Sequence, residues 1–374
     1  MKTSIRSLVM MAVLAAGAVV AATPAQAAAS GEDAGHAVFV QTNDPAGNTI
    51  DAFHRNADGS LTFLTSYATG GLGGRETGAG SDPLASQGSL MLIPDDRLLI
   101  AVNAGSNTIS VFQVGGDRLR LTQVLASGGP FPTGVGVHDN LLYVMDAGGP
   151  GFVSGYRIAG GRLHPIEGST RTLTLPNATP PFFLSSPAQV GFTPDGEHLI
   201  VTTKTNNTVD VFSVGPDGRL SAAPVKNSAA PVPFAWVFDG AGRLALNFAG
   251  TSSLQLFTVN EDNTITAAGA PVSDTRSALC WVTPAAGYVY GSNTGSNDIS
   301  QFEVAGGVVT LVNPIAASNI RGAVDSAAVG GFLYVQAGLE GTVHVFGIGT
   351  GGALTPVQVA TVPDGGSQEG IAAS

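Results

Sequence analysis

Two carboxylates and three cations in the second half of the chain have the chemistry of a hydrolytic or isomerising site. Asp325 or Glu369 could act as a general base, and Lys204, Arg276 or Arg321 could hold an anion or a developing oxyanion. Gln87, Ser89, Asp146 and Gln189 add polar groups able to bind a ligand. The same carboxylates and arginines could instead pair with one another around a water-filled axis. Histidine does not join the set, since His36, His54, His138, His164, His198 and His344 neither begin an innermost strand nor end a second one. No metal site and no imidazole acid–base cluster is therefore expected. The chain has no Gly-x-Ser-x-Gly elbow and no Walker loop, and no cofactor is called for. Cys280, the single cysteine, lies in an apolar segment where a thiol serves as inert filler.

The elements that must position these groups are announced by a repeat. A turn is followed by a β-branched residue or Leu, two more positions and an aromatic: Ile50 to Phe53, Ile109 to Phe112, Val153 to Tyr156, Val209 to Phe212, Leu254 to Phe257, Ile299 to Phe302 and Val343 to Phe346. Successive copies are 59, 44, 56, 45, 45 and 44 residues apart. A period near 45 built from short strands predicts an all-β, seven-bladed propeller with about four antiparallel strands per blade. The aromatics are expected between blades, as core. Residues 36–41 enter without an innermost strand for the first blade, so the segment 367–372 is expected to supply it and close the ring, which hides exposed strand edges.

Two spacings exceed the basal 44, and both surpluses fall between an outermost strand and the next innermost one. Because successive strands of a meander alternate in direction, both loops rise over one face of the disc, the mouth. Residues 69–87 carry Gly70, Gly71, Gly73, Gly74, Gly78 and Gly80 and are expected to be mobile. Residues 170–187 are stiffened by Pro176, Pro180, Pro181 and Pro187 and present Phe182 and Phe183. The nine polar residues named above all fall at this mouth, where a small molecule, glycan or protein is the expected partner.

Composition restricts the alternatives. Only 11% of the chain is charged, the 51 glycines argue against long helices, and the formal net charge of -11 disfavours nucleic acid and anionic membrane. Lys2 and Arg6, an apolar run over 8–22 and Ala25-Gln26-Ala27 read as a cleaved secretory leader. The run is too short to span a bilayer, and no membrane anchor is expected. The expected organisation is a signal peptide over 1–27, a short linker over 28–36 and one propeller domain over 37–374, in a secreted protein.

Several segments resemble a known family. They are Ser86-Gln87-Gly88-Ser89-Leu90, Val102-Asn103-Ala104-Gly105-Ser106-Asn107, Pro187-Ala188-Gln189-Val190-Gly191-Phe192, Cys280-Trp281-Val282 and Ser292-Asn293-Thr294-Gly295-Ser296-Asn297. Together they resemble the secreted bacterial branch of the lactonase-type seven-bladed propellers, which include 6-phosphogluconolactonase and carboxymuconate cyclases. The resemblance implies a Pro-His step on one inner strand, an Arg-His pair on the next and a Glu at the end of the following strand. Here Pro132 is followed by Thr133, Pro187 by Ala188-Gln189, and the acidic position reads Thr203-Lys204. Two functions are thus carried forward. One is an extracellular ligand- or partner-binding propeller with its usual catalytic positions replaced. The other is a lactone hydrolase or carboxymuconate cyclase-like enzyme using a rearranged site.

Overall fold

The computed structural model describes residues 36–93 and 97–374. The leader over 1–27 and all but the last residue of the linker lie outside the described residues. Seven antiparallel sheets follow one another along the chain. Their innermost strands are Ile371–Ala373, Leu90–Ile93, Pro132–His138, Pro187–Phe192, Pro233–Phe238, Leu279–Ala285 and Ala323–Val329, here blades 1 to 7. Each blade has four strands, and blade 3 gains a two-residue fifth, Arg171–Thr172, from the second long loop.

Burial follows position in the blade. The second strands Leu98–Asn103, Leu141–Asp146 and His198–Thr203 are buried at every residue because neighbouring blades cover both faces, which explains their near-continuous apolar sequences. The outermost strand of blade 1, Leu61–Ala68, is mostly exposed. All seven repeat aromatics, Phe53, Phe112, Tyr156, Phe212, Phe257, Phe302 and Phe346, are buried in the core.

The turn before the third strand does more than reverse the chain. Asn107, Asn207 and Asn297 take the left-handed conformation there, which Asn tolerates better than most residues. Their Oδ1 atoms then accept the backbone N–H of Phe131, Val232 and Gly322 at 2.8, 2.9 and 2.7 Å. Each of these asparagines thereby ties its own blade to the entry of the next.

The ring closes through the C-terminus. Ile371–Ala373 pairs antiparallel with Val38–Val40, and Gln41 N–H donates to Gly370 O at 2.9 Å. Gly370 has φ +101°, and a Cβ there would stand 2.5 Å from Ser89 Oγ, so only glycine fits this junction.

Candidate functional site

The first long loop is seated rather than loose. Asn43 exchanges two hydrogen bonds with Gly74, at 2.7 and 3.0 Å, and a Cβ on Gly73 would lie 2.0 Å from the Asn43 carbonyl oxygen. The expectation of mobility overlooked this use of glycine, which is close backbone approach. The second long loop joins the first, with Thr77 N–H donating to Pro181 O at 2.8 Å and Phe183 N–H to Thr77 O at 3.2 Å.

Beneath these loops lies a cavity of about 470 Å³. Ser81, Asp82 and Ala85 line it from the first loop and Phe183 and Leu184 from the second. Val232 and Phe234 of blade 5 and Cys280 and Thr294 of blade 6 form further wall, and Lys204 of blade 4 supplies the cation. Its walls are largely apolar. Trp281 packs edge-on against Phe234, with ring centroids 5.0 Å apart.

The polar part of the cavity is a cluster centred on the half-buried Asp82, with buried partners around it. Asp82 Oδ1 accepts Ala85 N–H at 2.5 Å, and its carboxyl hydrogen-bonds that of Glu369. Glu369 also accepts the N–H groups of Leu84 at 2.6 Å and Ser86 at 3.3 Å. Burial and the neighbouring Asp82 charge push Glu369 well above the ordinary carboxylate range, and a hydrogen bond between two carboxyl groups needs a proton on one of them. Asp325, buried and accepting Ser326 N–H at 2.9 Å, is pushed up to about 7 by loss of water, with Asp82 adding to the shift.

Lys204 is sealed in the same cluster. Its Nζ donates to Ala85 O at 2.5 Å and to Pro187 O at 3.5 Å, and lies 4.0 Å from Glu76 Oε2. It also stands 5.5 Å from the centre of the Phe234 ring. Burial lowers the Lys204 pKa against the pull of Glu76, Asp82 and Glu369. Burial raises Glu76 to about 8, with Lys204 and the Ser186 hydroxyl at 2.7 Å opposing. Four carboxyl groups and one ammonium share this water-poor region, which cannot hold all four ionised near pH 7. Burial lifts the Cys280 thiol to about 12, which matches the filler role read from its apolar strand.

Of the nine residues expected at the mouth, Lys204, Asp325 and Glu369 come together. Gln189 instead clips two inner strands together, and Gln87 ties the end of the first long loop to an inner strand. The Gln87 amide bonds both backbone groups of Val282 at 3.1 and 3.2 Å, and that of Gln189 does the same to Trp236 at 3.2 and 2.7 Å. Ser89 is buried at the ring closure, and Asp146 is buried beside Gly129 and Ser127, apart from the cavity lining. Arg276 is held by Asp298, and the Arg321 side chain is exposed. Asp82 and Glu76 were not singled out from the sequence. Their one sequence signal is that they are the acids of the loop whose length had already marked it.

The chain matches no family model and no curated protein. Solved structures align over nearly its whole length. Pseudomonas aeruginosa periplasmic gluconolactonase PpgL is 18% identical, with TM-score 0.70, covering 90% of this chain and 98% of that one. A candidate 6-phosphogluconolactonase from Bacteroides uniformis gives 18% identity and TM-score 0.69 over the same shares. A protein from Lactobacillus plantarum gives 20% and 0.68, over 88% and 96%. The seven sheets, the C-terminal closure and these alignments together give the chain the seven-bladed propeller fold that these solved structures share.

Proposed function

We propose that this protein is a secreted propeller that binds a small, largely apolar molecule through one polar end, in the cavity under the two mouth loops. The observation that carries the reading is the asymmetry of that cavity: Phe183, Leu184, Val232 and Phe234 supply apolar wall, and Lys204 and Asp82 supply the polar contacts. Secretion rests on the leader read from residues 1–27. The test is a fluorescence titration of the Trp236→Phe variant, in which Trp281 reports from behind Phe234. Benzyl alcohol should give a saturable change that Ala249→Phe, which fills the cavity, abolishes. A linear response identical in both proteins would overturn the reading.

A second reading, lactone hydrolysis, is favoured by the protonated Asp82–Glu369 pair beside Lys204, which resembles an acid–base site. The gluconolactonase activities named for the structural neighbours belong to those proteins. Here the positions that the family resemblance assigns to His and Glu read Thr133, Ala188-Gln189 and Thr203-Lys204. Arg276 and Arg321, the other cations considered for an anionic substrate, stand outside the cavity lining. A phosphorylated sugar acid would therefore meet a surplus of carboxyl groups.

A further inference from the structure

Lys204 is an unusual lysine for a binding cavity. Its side chain is 1% exposed, its walls include Phe234 and Leu184, and the nearest carboxylate oxygen is 4.0 Å away, beyond hydrogen-bond reach. A neutral amine has two N–H bonds and one lone pair. The structure offers Nζ two acceptors, Ala85 O and Pro187 O, which leaves the lone pair for an electrophile in the cavity. A carbonyl group is the electrophile that such an amine captures, and the Asp82–Glu369 pair in the same cluster carries a transferable proton.

We propose that the cavity takes a small aldehyde or ketone and holds it covalently, as a protonated imine on Lys204. This inference rests on the cavity-binding reading above and names its ligand class. The ammonium of Lys204 first releases a proton to solvent, and the free amine adds to the carbonyl carbon. The carbonyl oxygen takes a proton from the Asp82–Glu369 pair and becomes a hydroxyl. The C–O bond then breaks, the oxygen leaves as water with a second proton, and the nitrogen pair forms the C=N bond. One nitrogen-bound proton returns to the acid pair, one stays on the product, and the second proton on the departing water is taken from solvent, replacing the one released at the start. Overall, Lys–NH₃⁺ and R–CHO give Lys–NH⁺=CHR and water, with no oxidant or reductant. The remaining N–H suits the Ala85 carbonyl, and the charge keeps the Phe234 ring that Nζ already faces. Burial lowers the Lys204 pKa, which raises the fraction of free amine near pH 7.

The lysine inventory makes the test clean, because the whole sequence contains only Lys2, Lys204 and Lys226. Lys226 is more exposed and pairs with Asp210 at 3.7 Å. The full chain is incubated with benzaldehyde and cyanoborohydride, which reduces the imine to a stable secondary amine, and labelled peptides are mapped by mass. Lys204 should gain one benzyl group at a rate at least about tenfold above Lys226, as expected for a less protonated amine. Lys226→Arg should leave that label intact, and Lys204→Arg should remove it. Benzyl alcohol, which cannot form an imine, is titrated in parallel by Trp281 fluorescence in the Trp236→Phe variant. Saturable binding of the alcohol without preferential labelling of Lys204 overturns the imine and leaves the cavity reading standing. Absence of both overturns the two together.

Discussion

The backbone N–H of Leu84 donates to Oε2 of Glu369 at 2.6 Å, joining residues 285 positions apart in the chain. Leu84 belongs to the loop that lines the cavity, and Glu369 lies two residues before the strand that closes the ring. The C-terminal segment therefore has two tasks: it completes blade 1, and it anchors the loop that carries Asp82 into the site.

Deleting residues 367–374 should accordingly cost both stability and binding. The deletion removes the buried Ile371 and Ala372 and exposes the edge of Ala37–Gln41, for a loss of more than about 3 kcal/mol. Chemical denaturation of full-length and shortened chains measures it. Equal midpoints and slopes would contradict ring closure by this strand.

Asp146 should make stability depend on pH in a definite direction. Burial raises its pKa from 3.8 to about 7, so the folded state keeps a proton that the unfolded chain releases above about pH 4. Its contribution is full below pH 4 and is lost as pH rises through 7, with a slope near 1.4 kcal/mol per pH unit between those limits. Asp146→Asn removes that slope. Unfolding free energies of the two proteins from pH 4.5 to 8 should diverge, with the variant gaining on the parent as pH rises. Parallel profiles would refute the assignment.

The cations of the mouth should separate into one that binds and two that do not. Lys204→Met should weaken benzyl alcohol binding by about 1 to 3 kcal/mol through loss of a charge-assisted hydrogen bond. Arg276→Ala and Arg321→Ala should leave it unchanged, since Asp298 holds the first and the second is exposed. Calorimetric or fluorescence titration decides this, and an Arg321→Ala effect equal to that of Lys204→Met would go against the site described.

Hydrolysis of 6-phosphogluconolactone should stay below the ordinary enzyme range. Opening a lactone near pH 7 needs a base and an oxyanion donor; Thr133, Ala188, Gln189 and Thr203 cannot accept a proton there, and Asp325, which burial pushes up to about 7, stands outside the cavity lining. A second-order rate constant above ~10⁴ M⁻¹s⁻¹ that disappears in Glu369→Gln or Asp325→Asn would move the protein into the enzyme class.

The architecture was legible because it is periodic. Seven aromatic positions, the long gaps between two pairs of them and the missing first inner strand all follow from spacing, and the sheets match them. The asparagines of the turns carried a signal that spacing alone did not interpret, namely the clip from Asn107, Asn207 and Asn297 to the following blade. Strand position gave the face of the disc but not the depth of a side chain. Lys204 and Glu369 end in the buried cluster, whereas Arg276 turns to Asp298 and Arg321 to solvent. Asp82 and Glu76 lie in an irregular loop, where no repeat fixes the direction of a carboxylate. Contacts with Glu369, Ala85, Lys204 and Ser186 aim them inward.

The most direct test of cavity binding is a crystal structure of the protein soaked in 4-bromobenzyl alcohol, with the bromine located by its anomalous signal. The ring should pack against Phe234 inside the cavity, with the hydroxyl within hydrogen-bond distance of Lys204 Nζ or the Asp82 carboxyl. Bromine found only on the outer surface, with water filling the space beside Lys204, would contradict it.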